Sequence, residues 1–325
     1  MSTLYPLKFN PIFKEKIWGG DKIKTILKKD FSPLANCGEL WALSGLEGEE
    51  SVVENGFLSG NDLNELIEIY MDELVGDSIY QKFGNEFPVL IKFLNSKDFL
   101  SVQVHPDDKQ AMINHNSMGK TEMWYIIDCD EDSELVIGLK EGIDKERYIQ
   151  NLNDGHIEDV LNYVKIAKED VFYIPAGRVH AIGKGVLLAE IQQTSDLTYR
   201  IYDWDRVDDK GNKRELHTDM ALDAINFHTE SNYYTHYARI NNIPTEILQT
   251  PYFNVNNLIV DEKQTVDLLL RDSFTVYVCI EGAFKVIQDD TEVLVSLGEC
   301  VLIPAEIDEI TIIPLGKALL LEVFL

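Results

Sequence analysis

The chain has 325 residues, 45% of them hydrophobic, and sets 56 acidic side chains against 29 basic ones for a formal net charge of −27 at pH 7. That length allows two domains, or one large domain with an insertion. The acidity excludes nucleic acid and anionic membrane as main partners, because both require clustered Lys and Arg to neutralise phosphates.

The N-terminal "MSTLYPLKFNPIFK" lacks a basic leader followed by an apolar stretch, so no secretory signal is expected. No apolar run approaches the ~20 residues needed to span a bilayer. The four cysteines, Cys37, Cys129, Cys279 and Cys300, form no Cys-x-x-Cys pair. They are expected to be reduced and structural, in a cytoplasmic protein.

Most of the chain alternates short β-type runs with Gly, Pro and Asn, which predicts a sandwich or barrel. "NDLNELIEIYMDEL" breaks that pattern. It places Leu63, Leu66, Ile67, Tyr70 and Leu74 on one helical face behind an Asn61 or Asp62 cap, within a helical segment over about 61–84. "FPVLIKFL" (Phe87 to Leu94) is nearly continuous apolar sequence and reads as a core strand. "LSVQVHPDD" follows, and its period of two puts Ser101, Gln103 and His105 on one face and Val102 and Val104 on the other. A single strand of this kind can simply face water. Helical period returns in "GHIEDVLNYVKI" with Ile157, Val160, Leu161 and Val164, predicting a helix over about 154–166. A weaker one follows over about 217–227 in "HTDMALDAINF", around Met220 and Ile225. These helices occur singly, with no βαβ alternation, so they decorate a β framework.

An internal repeat organises the chain. "EDVFYIPAGRVH" (Glu169 to His180) aligns without a gap on "GECVLIPAEIDE" (Gly298 to Glu309), and "EMWYIIDCDEDSELVIG" resembles "FTVYVCIEGAFKVIQ". A repeated strand–turn module predicts two related barrels, with a boundary near residues 236–245 that leaves a first unit over 1–240 and a second over 241–325. The copies differ where chemistry would sit. Gly177 and His180 follow Pro175 in the first, whereas Glu306 and Glu309 occupy those places in the second, and no histidine follows His236. A metal site is therefore expected in the first unit only.

Such a site needs three or four N, O or S ligands converging at about 2 Å from a rigid scaffold. The candidates are Gln103 and His105 from one strand face, Glu122 at the start of the next hydrophobic strand, and His180 after a Pro-x-Gly turn. Each alone has a blander reading: a lone His is more often a hydrogen-bonded core or surface residue, and a Glu opening a strand usually meets solvent. Jointly they are hard to obtain by accident. Two His, one Glu and a neutral amide suit zinc acting as a Lewis acid, while a set of two His and one carboxylate could equally hold Fe(II) for oxygen chemistry. His115, in the polar "MINHNSMGK", reads as a loop residue, and His217 as lying near a helix start. Lys109, Lys120, Arg200 and Arg206 surround these ligands in sequence. Singly each reads as solvated surface; converging on a metal mouth they would bind a phosphorylated ligand and stabilise an oxyanion. No GxGxxG or GxxxxGK[ST] loop is present, so no nucleotide cofactor is expected.

"SVQVHPDD", "GKTEMWY", "PAGRVHAI" and "LTYRIYDWDR", with "KIWGG" and "GELWALS" upstream, resemble type I mannose-6-phosphate isomerases in their compact bacterial form. The resemblance covers essentially the whole chain. It implies a mainly β fold of two cupin (jelly-roll) barrels with a small added helical part. It implies one zinc ion per chain, bound by Gln103, His105, Glu122 and His180, and reversible interconversion of mannose 6-phosphate and fructose 6-phosphate through an enediolate. Arg200 matches the family's catalytic arginine, with Lys120 assisting ring opening or proton movement. Ser101, Lys109, Lys120 and Arg206 match positions associated with substrate and phosphate. The base stays open among a zinc-bound water, a pocket carboxylate, Lys120 and a histidine. The helical insertion of longer members is lacking, and no obligatory protein partner is evident. Two other readings stand beside this one. A cupin Fe(II) oxygenase leaves the basic residues unexplained, and a sugar-phosphate-binding regulator would need a partner domain that the chain does not show.

Overall fold

A computed structural model describes residues 4–207 and 210–325 as four antiparallel sheets, two in each half of the chain. The first half supplies β1 (Ile12–Lys14), β2 (Glu39–Leu43), β3 (Val89–Ser96), β4 (Val102–Val104), β5 (Glu122–Cys129), β6 (Glu134–Leu139), β7 (Leu161–Lys165), β8 (Val171–Ile174), β9 (His180–Ile182), β10 (Val186–Gln193) and β11 (Tyr199–Tyr202). The second supplies β12 (Thr245–Gln249), β13 (Asn254–Val260), β14 (Gln264–Asp267), β15 (Thr275–Glu281), β16 (Ala283–Gln288), β17 (Thr291–Ser296), β18 (Cys300–Ile303), β19 (Glu309–Pro314) and β20 (Ala318–Phe324).

The sequence repeat is one topology used twice. The first half stacks β1-β2-β3-β10-β5-β8 over β11-β4-β9-β6-β7, and the second stacks β12-β13-β20-β15-β18 over β14-β19-β16-β17. Strands β8 and β18, whose last residues open the Ile-Pro-Ala turns, close the same edge of their sheets. A proline there removes a ladder donor where no further strand needs one.

Three buried layers explain why the central strands lack an obvious polar face. In β3, β5 and β10, Ile91, Phe93, Met123, Tyr125, Ala189 and Ile191 point toward the second barrel and pack with Phe274, Val276, Leu319 and Val323 in one large core. The rings of Phe87 and Phe274 meet at 4.5 Å across that seam. The alternate residues Leu94, Trp124, Ile126 and Leu188 point into the first barrel with Leu135, Ile137 and Ile182. Strands buried on both faces read as continuous apolar runs, as "FPVLIKFL" does. In the facing sheet, Val102, Val104, Val136 and Ala181 turn outward onto helical cover. Ser101, Gln103 and His105 therefore turn inward, which answers what the polar face of β4 is for.

Helices α1 (Lys22–Thr25), α2 (Leu63–Tyr70), α3 (Asp72–Val75), α4 (Asp77–Phe83), α5 (Asp108–His115), α6 (Lys145–Asn153) and α7 (Thr218–Ala224) are short. Asp62 caps α2 in a capping box with Glu65, and Leu63, Leu66, Ile67 and Leu74 are buried as the helical period predicts. The 61–84 stretch is broken at Met71 and Gly76, and Gly76 (φ 100°) passes so close to Asp272 that an added Cβ would lie 2.6 Å from its carbonyl oxygen. The carboxylate of Asp272, from the second barrel, accepts from the Asp77 and Ser78 amides at 2.6 and 3.1 Å and caps α4.

One predicted helix is wrong. Residues 154–166 hold a single 3-10 turn, Ile157–Val160, and then strand β7, with Val164 opposite Leu135 of β6. Ile157, Val160 and Leu161 are buried as expected, but the β6 edge offered a ladder that outweighed a weak local helical preference. His115 is also corrected. It ends α5, and its Nε2 lies 2.9 Å from the Tyr199 hydroxyl.

Candidate metal centre and its cavity

Two rows of side chains face each other inside the first barrel. In one sheet Arg200 is opposite Gln103 across β11 and β4, and Gln103 is opposite His180 across β4 and β9. In the other, Trp41, Lys92, Glu190 and Trp124 are mutual neighbours across β2, β3, β10 and β5. Glu122 enters beside that row from the first position of β5. The turn before β9 is tied to the end of β4, because the Gly177 amide donates to the His105 carbonyl at 2.9 Å. Gly177 has φ 84°, and an added Cβ would lie 2.9 Å from the Ala224 carbonyl oxygen. A larger residue would therefore move His180 relative to His105.

His105, Glu122 and His180 converge, each presenting one ligand atom with all three atoms within 4.8 Å of one another. His105 Nε2 lies 3.5 Å from Glu122 Oε2, and His180 Nε2 lies 3.4 Å from Glu122 Oε1. Behind the rings, His105 Nδ1 is 2.7 Å from the Leu197 carbonyl and His180 Nδ1 is 2.8 Å from the Arg178 carbonyl. A carbonyl only accepts, so each Nδ1 carries the hydrogen and each Nε2 presents a lone pair, the usual outer-shell support of metal-binding imidazoles. Gln103 completes the ring with its amide Nε2 3.2 Å from His180 Nε2. Half a turn of the amide would present its oxygen instead.

The electrostatics fit a cation. His105 Nε2 and both Glu122 oxygens are buried without a hydrogen-bond partner, a costly arrangement in a low-dielectric interior unless an ion compensates it. Burial, with Lys120 nearby, pushes the His105 imidazole well below its ordinary value, and burial takes His180 to about 4. Both rings are thus neutral ligands at neutral pH. Burial pushes the Glu122 carboxyl up to about 7 against the opposing charge of Lys120, whose ammonium stands 3.3 Å away. A divalent cation would hold that carboxylate ionised.

A cavity of about 490 Å³ adjoins this cluster through Gln103 and Lys120, lined by Lys14, Lys16, Lys92, Lys120, Arg200 and Arg214 against Glu39, Glu49, Glu190 and Asp196, together with Ser101 and Gln103; His105, Glu122 and His180 lie behind its wall. It carries an excess of positive charge in a strongly acidic chain, which suits an anionic ligand. Arg200 Nη1 donates to the Glu215 carbonyl at 2.8 Å, while its Nε is buried without a partner. Lys120 is buried, yet the Glu122 and Glu190 carboxylates outweigh that desolvation and raise its ammonium above the ordinary value.

Two expected pocket residues lie elsewhere. Lys109 is exposed on α5, outside the cavity wall, because the Asp107 cap turns the chain into a helix directly after His105. Arg206 also lies outside the wall. It bonds Asp203 at 2.5 Å and the Phe99 carbonyl, and so clasps its loop to the segment that leads into β4. Conversely, sequence reasoning missed Lys92, Glu190, Trp41 and Arg214. The signal for the first two was present, since Lys92 and Glu190 are the lone charges in the fully buried strands VLIKFLNS and VLLAEIQQ. A charge in such a strand must be paired or functional. Lys92 Nζ sits 3.4 Å from Glu190, donates to Gln192 Oε1 at 2.7 Å and lies 5.0 Å over the Trp41 ring.

Comparison with known proteins agrees with this architecture. Residues 6–144 match the family profile "Phosphomannose isomerase type I, catalytic domain", and residues 244–321 match "Mannose-6-phosphate isomerase, cupin domain". Mannose-6-phosphate isomerase ManA of Bacillus subtilis is 37% identical over 313 residues, covering 94% of this chain and 95% of its own length. The mannose-6-phosphate isomerase of Streptococcus mutans is 38% identical over 251 residues, 77% of each chain. The crystal structure of mannose 6-phosphate isomerase from Bacillus subtilis superposes with a TM-score of 0.87 at 34% identity, covering 98% of this chain and 99% of the other. A phosphomannose isomerase from Salmonella typhimurium shares the fold at 16% identity, with a TM-score of 0.80 and coverage of 98% and 99%. The two-barrel topology, the inward His and Glu residues and these similarities together establish that the chain belongs to the type I mannose-6-phosphate isomerase family of aldose–ketose isomerases.

Proposed function

We propose that the chain interconverts mannose 6-phosphate and fructose 6-phosphate through an enediolate, with one zinc ion held by His105, Glu122, His180 and Gln103. The observation that carries the reading is the set of buried ligand atoms without a hydrogen-bond partner, His105 Nε2 and both Glu122 oxygens, beside a cationic cavity that Gln103 and Lys120 line, in a chain of this family. When bound, the ion supplies Lewis acidity toward substrate oxygen.

The chain's own residues supply the rest. Lys120 is held as an ammonium between the Glu122 and Glu190 carboxylates and can donate a hydrogen bond to the ring oxygen on opening. Arg200 offers an uncommitted Nε–H and a fixed positive charge, in register with ligand Gln103, to oxygens that become negative as the C2 proton leaves. The proton acceptor comes from the cavity carboxylates Glu39, Glu49, Glu190 and Asp196, from a histidine or from water. Ser101 and the surrounding cations hold the phosphate end and so keep the sugar in register. The enzyme is expected to act in the cytoplasm on a free sugar phosphate, without an obligatory partner; among the described residues no helix is long and apolar enough to cross a membrane. The test is conversion of mannose 6-phosphate by the purified chain, lost on chelation and restored by zinc. An iron- and oxygen-dependent reaction in its place would support the oxygenase reading.

A further inference from the structure

Strand β11 and the segment after it carry three arginines, Arg200, Arg206 and Arg214, and one buried carboxylate organises the last two. Asp203, with its side chain only 7% exposed, accepts from Arg214 twice, Nε to Oδ2 at 2.7 Å and Nη2 to Oδ1 at 2.5 Å. The same Oδ1 accepts from Arg206 Nη2 at 2.5 Å. The two arginines then diverge. Arg206 reaches the Phe99 carbonyl, and beside it Trp204 Nε1 donates to the Leu100 carbonyl at 2.7 Å while its ring packs at a tilt against Phe99, centroids 4.7 Å apart. That half of the arrangement stitches the loop to the strand leading into Gln103 and His105. Arg214 instead lines the cavity, with Nη1 making no hydrogen bond among the described residues.

The geometry points to Asp203 as a positioning residue: it holds the Arg214 guanidinium at the cavity wall and thereby sets affinity for the anionic end of the substrate, without touching substrate itself. The bidentate fork fixes both the place and the plane of the guanidinium. Without that carboxylate, three like charges would crowd together, since Arg200 also borders Arg214 and Arg206. The backbone has been bent to place the residue, because Trp204 and Asp205, directly after it, both adopt left-handed conformations with φ 55° and 53°. Two successive non-glycine residues in that region are costly and persist only where their surroundings impose them.

This inference rests on the sugar-phosphate reading above, and the experiment separates the two. Asp203→Asn keeps the shape but loses the charge and half of the fork. It is expected to raise KM for mannose 6-phosphate about tenfold with kcat changed less than about threefold, and Arg214→Gln is expected to do the same. The KM of the double variant should be no worse than that of either single one, because the carboxylate affects KM only through Arg214. Arg206→Gln should lower thermal stability and leave KM unchanged, which distinguishes a clasp from a positioning contact. An Asp203→Asn enzyme with wild-type KM, or one whose KM effect adds fully to that of Arg214→Gln, would overturn the inference alone. If Asp203→Asn does not fold, Arg214→Gln decides, since its side chain is one-third exposed; an unchanged KM there also overturns it. A wild-type chain that neither binds nor converts mannose 6-phosphate would remove the underlying reading and this inference with it.

Discussion

Chelation of the metal should unfold the protein at a lower temperature, and the structure sets the size of the effect. Removing the ion leaves His105 Nε2 and the two Glu122 oxygens buried without a hydrogen-bond partner, with only the Lys120 ammonium 3.3 Å from one of those oxygens. At about 1 kcal/mol each, the low end for unsatisfied buried groups, they cost roughly 3 kcal/mol together. Mass action gives a similar figure, because a ligand present at a thousand times its Kd stabilises by about 4 kcal/mol. For a chain of this size each kcal/mol moves Tm by about 2 °C, so the expected fall is roughly 6–8 °C. The assay is calorimetry on protein treated with chelator, before and after zinc is restored, with His105→Ala as control. The control should show no zinc-dependent shift. Equal melting temperatures with and without chelator would refute the argument, and so would a shift of the same size in His105→Ala, which would place the ion elsewhere.

Four further outcomes follow. His180→Ala should lose bound metal and activity together. Arg200→Ala should keep one zinc per chain while kcat falls by about 10²–10³, and zinc loss in that variant would contradict its assigned role. Trp124 Nε1 donates to Glu190 Oε2 at 2.9 Å between two buried groups, so Trp124→Phe should cost about 1–3 kcal/mol, read from the urea midpoint; an unchanged midpoint would contradict the pairing. Burial pushes the Glu299 carboxyl up, but hydrogen bonds from Lys29 and the Ser296 amide, with the charge of Lys29, leave it below its ordinary 4.5. A carboxyl lowered in the folded state adds stability above about pH 4.5 that is lost as pH falls through its folded value. Lys29→Met should therefore flatten the acid side of the Tm–pH curve, and an unchanged acid slope would contradict this linkage.

The convergence of the candidate ligands His105, Glu122 and His180 was legible because such residues leave local marks. Gln103 and His105 sit two apart on a period-two strand, and His180 follows a turn glycine that the first barrel has and the second lacks. The barrel pairing was legible for a related reason, since the Ile-Pro-Ala edge recurs in both halves. What stayed hidden was set by contacts distant in sequence. The helical period of "GHIEDVLNYVKI" buried the expected residues, yet pairing with β6 turned half of it into a strand. Lys109 was expected in the pocket from its closeness to His105, but the Asp107 cap sends it into solvent. Arg206 and Arg214 are indistinguishable as letters, and both bind Asp203; only in the fold does Arg206 go on to the Phe99 carbonyl while Arg214 lines the cavity. The Trp41–Lys92–Glu190–Trp124 row is assembled from four strands spread over 150 residues, and no local window contains it.

The most direct measurement of the central claim is the rate of fructose 6-phosphate formation from mannose 6-phosphate by the purified chain, after chelation and again after zinc is returned. The account predicts activity that vanishes with the metal and recovers with zinc at one ion per chain. Full activity in metal-free protein, or none in folded, zinc-loaded protein, would contradict it.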